Sequence, residues 1–317
     1  MATNTKTVRA SKKTVKRATK KGTKNNTKKV VKNTEKTVLV LRTCKADLTA
    51  TSDKAKGFKW PEKGPVECPD WDATPECGHG LHGLLWGMGD ARLLTWDESA
   101  KWLVVEVLES DVVGIDSMEK VKFPKGNVVC CGDRKTATDY LLAHAPAGTV
   151  CHGAFVTVGD KAVATSGDRG TSNSGNWGTS TSGDSGTSNS GDSGTSNSGY
   201  RGTSTSGYGG TSTSGYRGTS TSGDSGTSNS GNWGTSTSGN GGTSTSGDSG
   251  TSNSGYGGTS TSGDRGTSNS GEKGILNIKY WDEKAERYRI KTAYVGEDGI
   301  EPNVKYKLDD KHNFVKA

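Results

Sequence analysis

The sequence predicts a mainly β protein in which a thin β-solenoid of octad repeats follows a small α+β domain, with a C-terminal β cap and a disordered basic N-terminal tail. Three observations predict it. An octad, G-T-S-[TN]-S-G-x-x, occurs thirteen times without insertion, the first copy beginning at Gly170 and the last at Gly266. Between Thr165 and Ser270 there is no Leu, Ile, Val, Met, Phe, Ala or Cys, whereas apolar and polar residues alternate on either side of that stretch. Charge is segregated as well: thirteen Lys or Arg face Glu35 alone between Met1 and Thr37, in a chain whose net charge is +7, so the remainder is net negative. The boundaries read from these shifts are a tail over 1–36, an α+β domain over 37–158, the octad solenoid over 159–274 and the cap over 275–317.

The tail, KKTVKRATKKGTKNNTKKVVKNTEK and its flanks, has no aromatic residue and no sustained apolar stripe, so disorder is expected. It is similar in composition to the tails of linker histones. Lys12, Lys13, Lys16, Arg17, Lys20, Lys21, Lys28 and Lys29 are the residues expected to neutralise phosphates of nucleic acid or another polyanion, with counterion release making the binding salt-sensitive. A solvated, solubilising tail is the alternative. No stretch has the length of a signal peptide's apolar region, and Trp102 to Leu108 is interrupted by Glu106 and too short to span a bilayer. A soluble, cytoplasmic protein without a membrane span is expected, in a bacterial host or encoded by a phage, with its six cysteines reduced.

In the α+β domain, TVLVLRTC (Thr37 to Cys44) and KWLVVEVL (Lys101 to Leu108) read as strands, and VKFPKGNVVCC as a turn over Pro124 to Asn127 leading into another. Asp133 caps a short helix over RKTATDYLLAHA. ECPDWDATPECGHGLHG places Cys68, Cys77, His79 and His82 within fifteen residues. Those are zinc ligand types in a C-x8-C-x-H-x2-H spacing that departs from paired-ligand patterns, so a glycine-rich structural loop competes with a metal site. No cofactor is expected. GLHGLLWGMGDARLL followed by WLVVEVLESDVVGID resembles the Gly-His segment, helix and valine-rich strand of ADP-ribosyltransferase-like folds, which implies Arg42, His82 and Glu106 as a polar set. A solvent-facing place in an alternating strand explains Glu106 equally well. The main reading is non-enzymatic, with this domain as the enzymatic alternative.

In the octads each T-S-[TN] reads as a short strand and each S-G-x-x-G as a turn, with glycine supplying positive φ. Alternation then sends the first serine inward and the threonines outward. Thr171, Thr179, Thr181, Thr203, Thr205, Thr211, Thr213, Thr219, Thr221, Thr235 and Thr237 are the expected binding residues, presenting a flat polar face to an unknown partner or to ordered water. An eight-residue coil would stack Tyr200, Tyr208 and Tyr216 in one column; a coil of sixteen residues, favoured because it leaves enough chain for two turns, aligns Tyr200 with Tyr216 and puts Tyr208 opposite. A disordered Gly/Ser-rich linker is the alternative, because nothing aliphatic is buried to offset an ordering cost of about 1–2 kcal/mol per residue. SGYGGTSTSG (Ser206 to Gly215) resembles the AGYGSTxTAG phrase of bacterial ice nucleation proteins. That resemblance implies sixteen-residue β-solenoid coils whose threonine ladders order water. Departures are the T-S-N octads, the missing Leu and Gln, and a much shorter array.

ILNIKYW, RYRIKTAYV, KYKL and NFVKA read as the strands of a β-meander that closes the open end of the solenoid. As a whole, CGHGLH, the octads and this cap are similar in layout to a set of poorly characterised phage and bacterial octapeptide-repeat proteins, which implies an architecture and no activity.

Overall fold

The computed structural model describes residues 35–50, 57–115 and 120–317. Lys36–Ala317 form one unit; the tail, with its eight expected polyanion-binding residues, lies outside the described residues except at its end.

The N-terminal part is a seven-stranded antiparallel sheet. Its strands are β1 (Thr37–Cys44), β2 (Gly64–Glu67), β3 (Leu81–Leu85), β4 (Lys101–Leu108), β5 (Val113–Ile115), β6 (Lys120–Phe123) and β7 (Lys125–Gly132), in the order β2-β7-β4-β1-β3-β6-β5. Strand alternation gives the sheet two apolar faces. On β1, Val40 packs with Trp60, Leu103, Val105 and Phe123, while Leu39 and Leu41 pack with Trp102, Val104, Ala137 and Leu141. The second face is covered by α1 (Arg134–His144), whose first turn is capped by Asp133 accepting from the Thr136 N–H at 2.7 Å.

Two local expectations change. The chain breaks only at Pro124, and Lys125–Asn127 are already strand, because β2 pairs there, Pro65 against Asn127 and Glu67 against Lys125. The GLHG segment is strand β3 rather than a prelude to a helix; the next element along the chain is a single 3-10 turn, Ala91–Leu93. Gly83 in β3 lies so close to β1 that a Cβ would overlap the Val40 side chain and the Leu41 carbonyl.

The octads form a β-solenoid with sixteen residues per coil. The strands are β8 (Phe155–Thr157), β9 (Val163–Thr165) and the thirteen tetrads β10 (Thr171–Ser174) through β22 (Thr267–Ser270), closed by β23 (Ile275–Asp282). Even-numbered strands make one parallel sheet and odd-numbered strands the other, in strict register: Thr203, Ser204, Thr205 and Ser206 pair with Thr219, Ser220, Thr221 and Ser222. The eight coils run from β8 and β9 to β22 and β23, about 34 Å of stacked strands at the usual spacing. The ordered reading therefore replaces the linker, and Tyr200 stacks on Tyr216 with centroids 5.6 Å apart and planes 2° from parallel.

Each strand is one residue longer than its T-S-[TN] core, since the second serine also belongs to it and points inward. Ser204, Ser212 and Ser220 are fully buried, and Ser206 and Ser214 nearly so. These hydroxyls bridge the two sheets: Ser212 Oγ donates to the Thr221 carbonyl at 2.6 Å and accepts from Ser206 Oγ at 3.0 Å. Equivalent bonds run from Ser172 to Ser204, whereas Ser214, Ser220, Ser222, Ser238 and Ser246 leave Oγ unpaired.

The invariant glycines serve a purpose other than the expected one. Positive φ falls on the second variable position, at Arg201 (φ 55°), Ser193 (φ 53°) and Trp177 (φ 59°), and on glycine only where that position is glycine, as at Gly209 (φ 61°). The invariant glycines are close-approach positions. A Cβ on Gly210 would sit 2.7 Å from the Ser206 Cβ, and one on Gly207 would overlap Asp192 Oδ1 of the preceding coil. That oxygen explains the first variable position. Asp160, Asn176 and Asp192 each accept the backbone N–H sixteen residues on, at Asn176, Asp192 and Tyr208, over 2.8–2.9 Å. Tyr208 ends the run, and a new one passes from Asp224 through Asn240 to Tyr256.

The cap consists of two hairpins, one per sheet, in place of a single meander. β23 continues the odd-numbered sheet and folds back through β24 (Arg287–Tyr294); β25 (Tyr306–Leu308) and β26 (Phe314–Lys316) extend the even-numbered one. Leu276, Val295, Ile300 and Tyr306 form the small apolar core that joins them.

The first coil is fastened to the N-terminal sheet through His152. Its Nδ1 accepts the Asp168 N–H at 2.9 Å, which leaves the proton on Nε2 to donate to the Gly89 carbonyl at 2.7 Å. Arg169 lies over Trp96 and Arg134 over Phe155, at 4.9 and 4.6 Å.

Candidate functional site

The eleven threonines singled out from the sequence do not share one face. Strand parity sends Thr171, Thr203, Thr205, Thr219, Thr221, Thr235 and Thr237 to the even-numbered sheet and Thr179, Thr181, Thr211 and Thr213 to the odd-numbered one. All lie at outward positions of their strands, half-buried or exposed, with the serines inside.

The two faces differ in how threonine and asparagine follow one another. On the even-numbered sheet Thr203–Ser206, Thr219–Ser222 and Thr235–Ser238 are consecutive neighbours, all T-S-T-S, so two columns of threonine run across three coils. On the odd-numbered sheet T-S-T-S and T-S-N-S alternate from Thr179 to Thr243. Where asparagines are neighbours they bond to one another: Asn189 Nδ2 donates to Asn173 Oδ1 at 2.8 Å, and Asn173 Nδ2 to Thr157 Oγ1 at 3.2 Å. Among the described residues the hydroxyls of Thr205, Thr221 and Thr237 make no side-chain hydrogen bond, which leaves them to solvent. The result is a rigid lattice of hydroxyl and methyl groups, repeating along the ladder at about 4.8 Å.

The second set of predicted residues converges on a different place. Cys68, Cys77, His79 and His82 all line one cavity of about 640 Å³ in the N-terminal domain. Each of them contacts a group other than a shared ion. Cys68 Sγ donates to Asp70 Oδ1 at 3.0 Å, His79 Nδ1 meets Asp70 Oδ2 at 3.0 Å, Lys120 Nζ lies 3.0 Å from Cys77 Sγ, and His82 Nε2 accepts the Gly78 N–H at 3.4 Å. Among the described residues no three His, Cys, Asp or Glu side chains are placed to hold a metal ion. Burial drives the Cys68 thiol up to about 11 and, together with the nearby cations Lys120, Arg42 and Lys122, holds the His82 imidazole down at about 4, so His82 is neutral at physiological pH.

Of the proposed polar trio, Arg42 and His82 meet: Arg42 Nη1 donates to the His82 carbonyl at 2.7 Å. Glu106 is not among the residues lining that cavity and accepts from Thr37 Oγ1 at 3.1 Å. The sequence reading missed Trp60, whose ring lies 4.8 Å from the Arg42 guanidinium carbon, and Lys120 at the cavity wall. Only their position in the chain, in strand-poor or short-strand segments, distinguished them beforehand.

Residues 38–139 match a family model described as a domain of unknown function, DUF7666. Curated relatives are ice nucleation proteins. That of Pseudomonas fluorescens is 39% identical over 114 residues, 36% of this chain and 9% of that protein. One from Pseudomonas syringae is 40% identical over 113 residues, covering 35% of this chain and 9% of its own length. Ice nucleation protein InaU of Pantoea ananas is 32% identical over 114 residues, 36% of this chain and 11% of that protein. This chain thus spans about a tenth of the length of these relatives. No solved structure matches it. The chain joins a DUF7666 segment to a β-solenoid and, over about 114 residues, is distantly homologous to bacterial ice nucleation proteins.

Proposed function

We propose that the protein is a non-enzymatic, water-organising repeat protein whose even-numbered sheet is an ice-binding face. The observation that carries this reading is the pair of threonine columns at Thr203, Thr219 and Thr235 and at Thr205, Thr221 and Thr237, with the hydroxyls of Thr205, Thr221 and Thr237 unused inside the protein. A surface of fixed hydroxyls orders first-shell water without an entropy cost for the protein, because the register is set by the backbone ladder. The similarity to ice nucleation proteins supports the same reading. The array's eight coils present a small face, so the expected activity is binding to ice, seen as thermal hysteresis and faceted crystals.

The test is thermal hysteresis of full-length protein against a variant carrying Thr205→Lys, Thr221→Lys and Thr237→Lys. Activity is expected to disappear in this variant and to persist when Thr181→Lys and Thr213→Lys are placed on the opposite sheet. Equal loss from both variants, or no hysteresis in the wild type, would remove the assignment. The N-terminal lysines support a second element of the proposal, polyanion binding. Removal of residues 1–36 is expected to abolish salt-sensitive retention on DNA, and unchanged retention would dismiss it.

A further inference from the structure

The cavity of the N-terminal domain has an origin in the sheet topology. β1 and β3 pair only at Val40 with Leu85 and Leu41 with Leu84, after which they part, and β3 turns its remaining pairing to β6. Arg42 enters the split. Its guanidinium is fixed by the bond to the His82 carbonyl at 2.7 Å and by Trp60 at 4.8 Å, yet its Nε is sealed from solvent without an acceptor among the described residues. Among the described residues no carboxylate pairs with it. An unpaired cation in such surroundings is costly, and burial lowers its pKa to about 10.

The other charged groups on the wall do not compensate it. Lys120 faces the Cys77 sulfur, and Asp70, the lining acid, is bound to Cys68 and His79. Apolar wall is supplied by Phe58, Trp60, Leu81, Leu84 and Leu94, beside the neutral His82. A volume of about 640 Å³ falls within the size of small-molecule sites. We propose that this cavity binds a small monocarboxylate carried on an apolar body, with the carboxylate at Arg42 and the body against Trp60 and the leucines. A planar guanidinium held by a stacked ring matches carboxylate geometry. A neutral ligand leaves the charge uncompensated, and a phosphate, polar on every side, leaves the apolar walls uncovered.

Calorimetry on full-length protein with 2-naphthoate and its neutral isostere 2-naphthamide tests this. Naphthoate is expected to bind, to slow modification of the exposed Cys77 by a thiol reagent, and to bind about thirtyfold or more tightly than the amide. Arg42→Gln should remove that preference, while Lys63→Gln, a surface change, should keep it. If Arg42→Gln does not fold, the acid-to-amide ratio on wild type decides alone. Equal binding of acid and amide, no binding of either, or displacement of naphthoate by inorganic phosphate at equal concentration would overturn the proposal.

Discussion

The N-terminal sheet and the solenoid are both β structures, and they are held together by different forces. The sheet buries Val40, Leu41, Leu103, Val104 and Phe123 completely, so its stability follows from apolar area removed from water. The solenoid buries Ser188, Ser196, Ser204 and Ser212 completely instead and contributes little such area. Its cohesion comes from bonds repeated every sixteen residues, such as the Thr211 N–H to the Gly194 carbonyl at 2.9 Å, each worth about 0.5–1.5 kcal/mol net. A core of one kind tolerates a change in hydrogen bonding and fails on a lost methylene. The other resists added bulk and loses little when a single side-chain hydrogen bond is removed.

The comparison is sharpest in paired substitutions. Leu103→Ala in the sheet is expected to cost ~2–5 kcal/mol in urea unfolding followed by tryptophan fluorescence. Ser212→Leu in the solenoid is expected to cost ~1–3 kcal/mol by overpacking, with loss of the sheet signal in far-ultraviolet circular dichroism. Ser212→Ala, which keeps the volume and removes the bonds to Ser206 and the Thr221 carbonyl, should cost only ~1 kcal/mol. If leucine were accepted at 212 as readily as alanine, the interior could not be the narrow space described.

The two regions also separate by pH. The depressed His82 pKa, about 4 against an ordinary 6.5, means that the unfolded chain takes up a proton in this window while the folded one does not. Stability is therefore full above pH 6.5 and falls as the pH drops toward 4, by ~1–2 kcal/mol after allowance for partial exposure. His82→Gln should flatten the dependence measured by urea unfolding between those values. A slope unchanged by the substitution would assign the effect to other groups.

The smallest effect is expected at the solenoid edge. Asp192→Ala removes the acceptor for the Tyr208 N–H at 2.9 Å and should lower stability by ~1 kcal/mol, whereas Asp192→Asn, which keeps Oδ1, should leave it unchanged. Equal melting temperatures for all three proteins would show that the side-chain ladder along the edge contributes nothing.

Much of this was legible in the residues. β1, β4, the Asp133-capped helix and the four cap strands are local patterns of alternation or capping, so their signals sit within a few residues. β3 was hidden because LHGLL lacks alternation, and its pairing partners β1 and β6 lie about forty residues away on either side. The role of glycine was misread for a related reason. φ follows from the turn, but the need for a missing Cβ at Gly207 depends on Asp192 in the coil below.

The period, the first inward serine of each octad and the preference for a sixteen-residue coil were readable along the chain, because strand alternation and the length of a turn act on neighbouring residues. Which threonines share a face follows from the stacking, since it depends on the parity of each strand in the stack and divides Thr205 and Thr221 from Thr213. Only the tertiary structure brought Arg42, Trp60, Cys77 and His82 around one cavity, because the parting of β1 from β3 is a property of the whole sheet order.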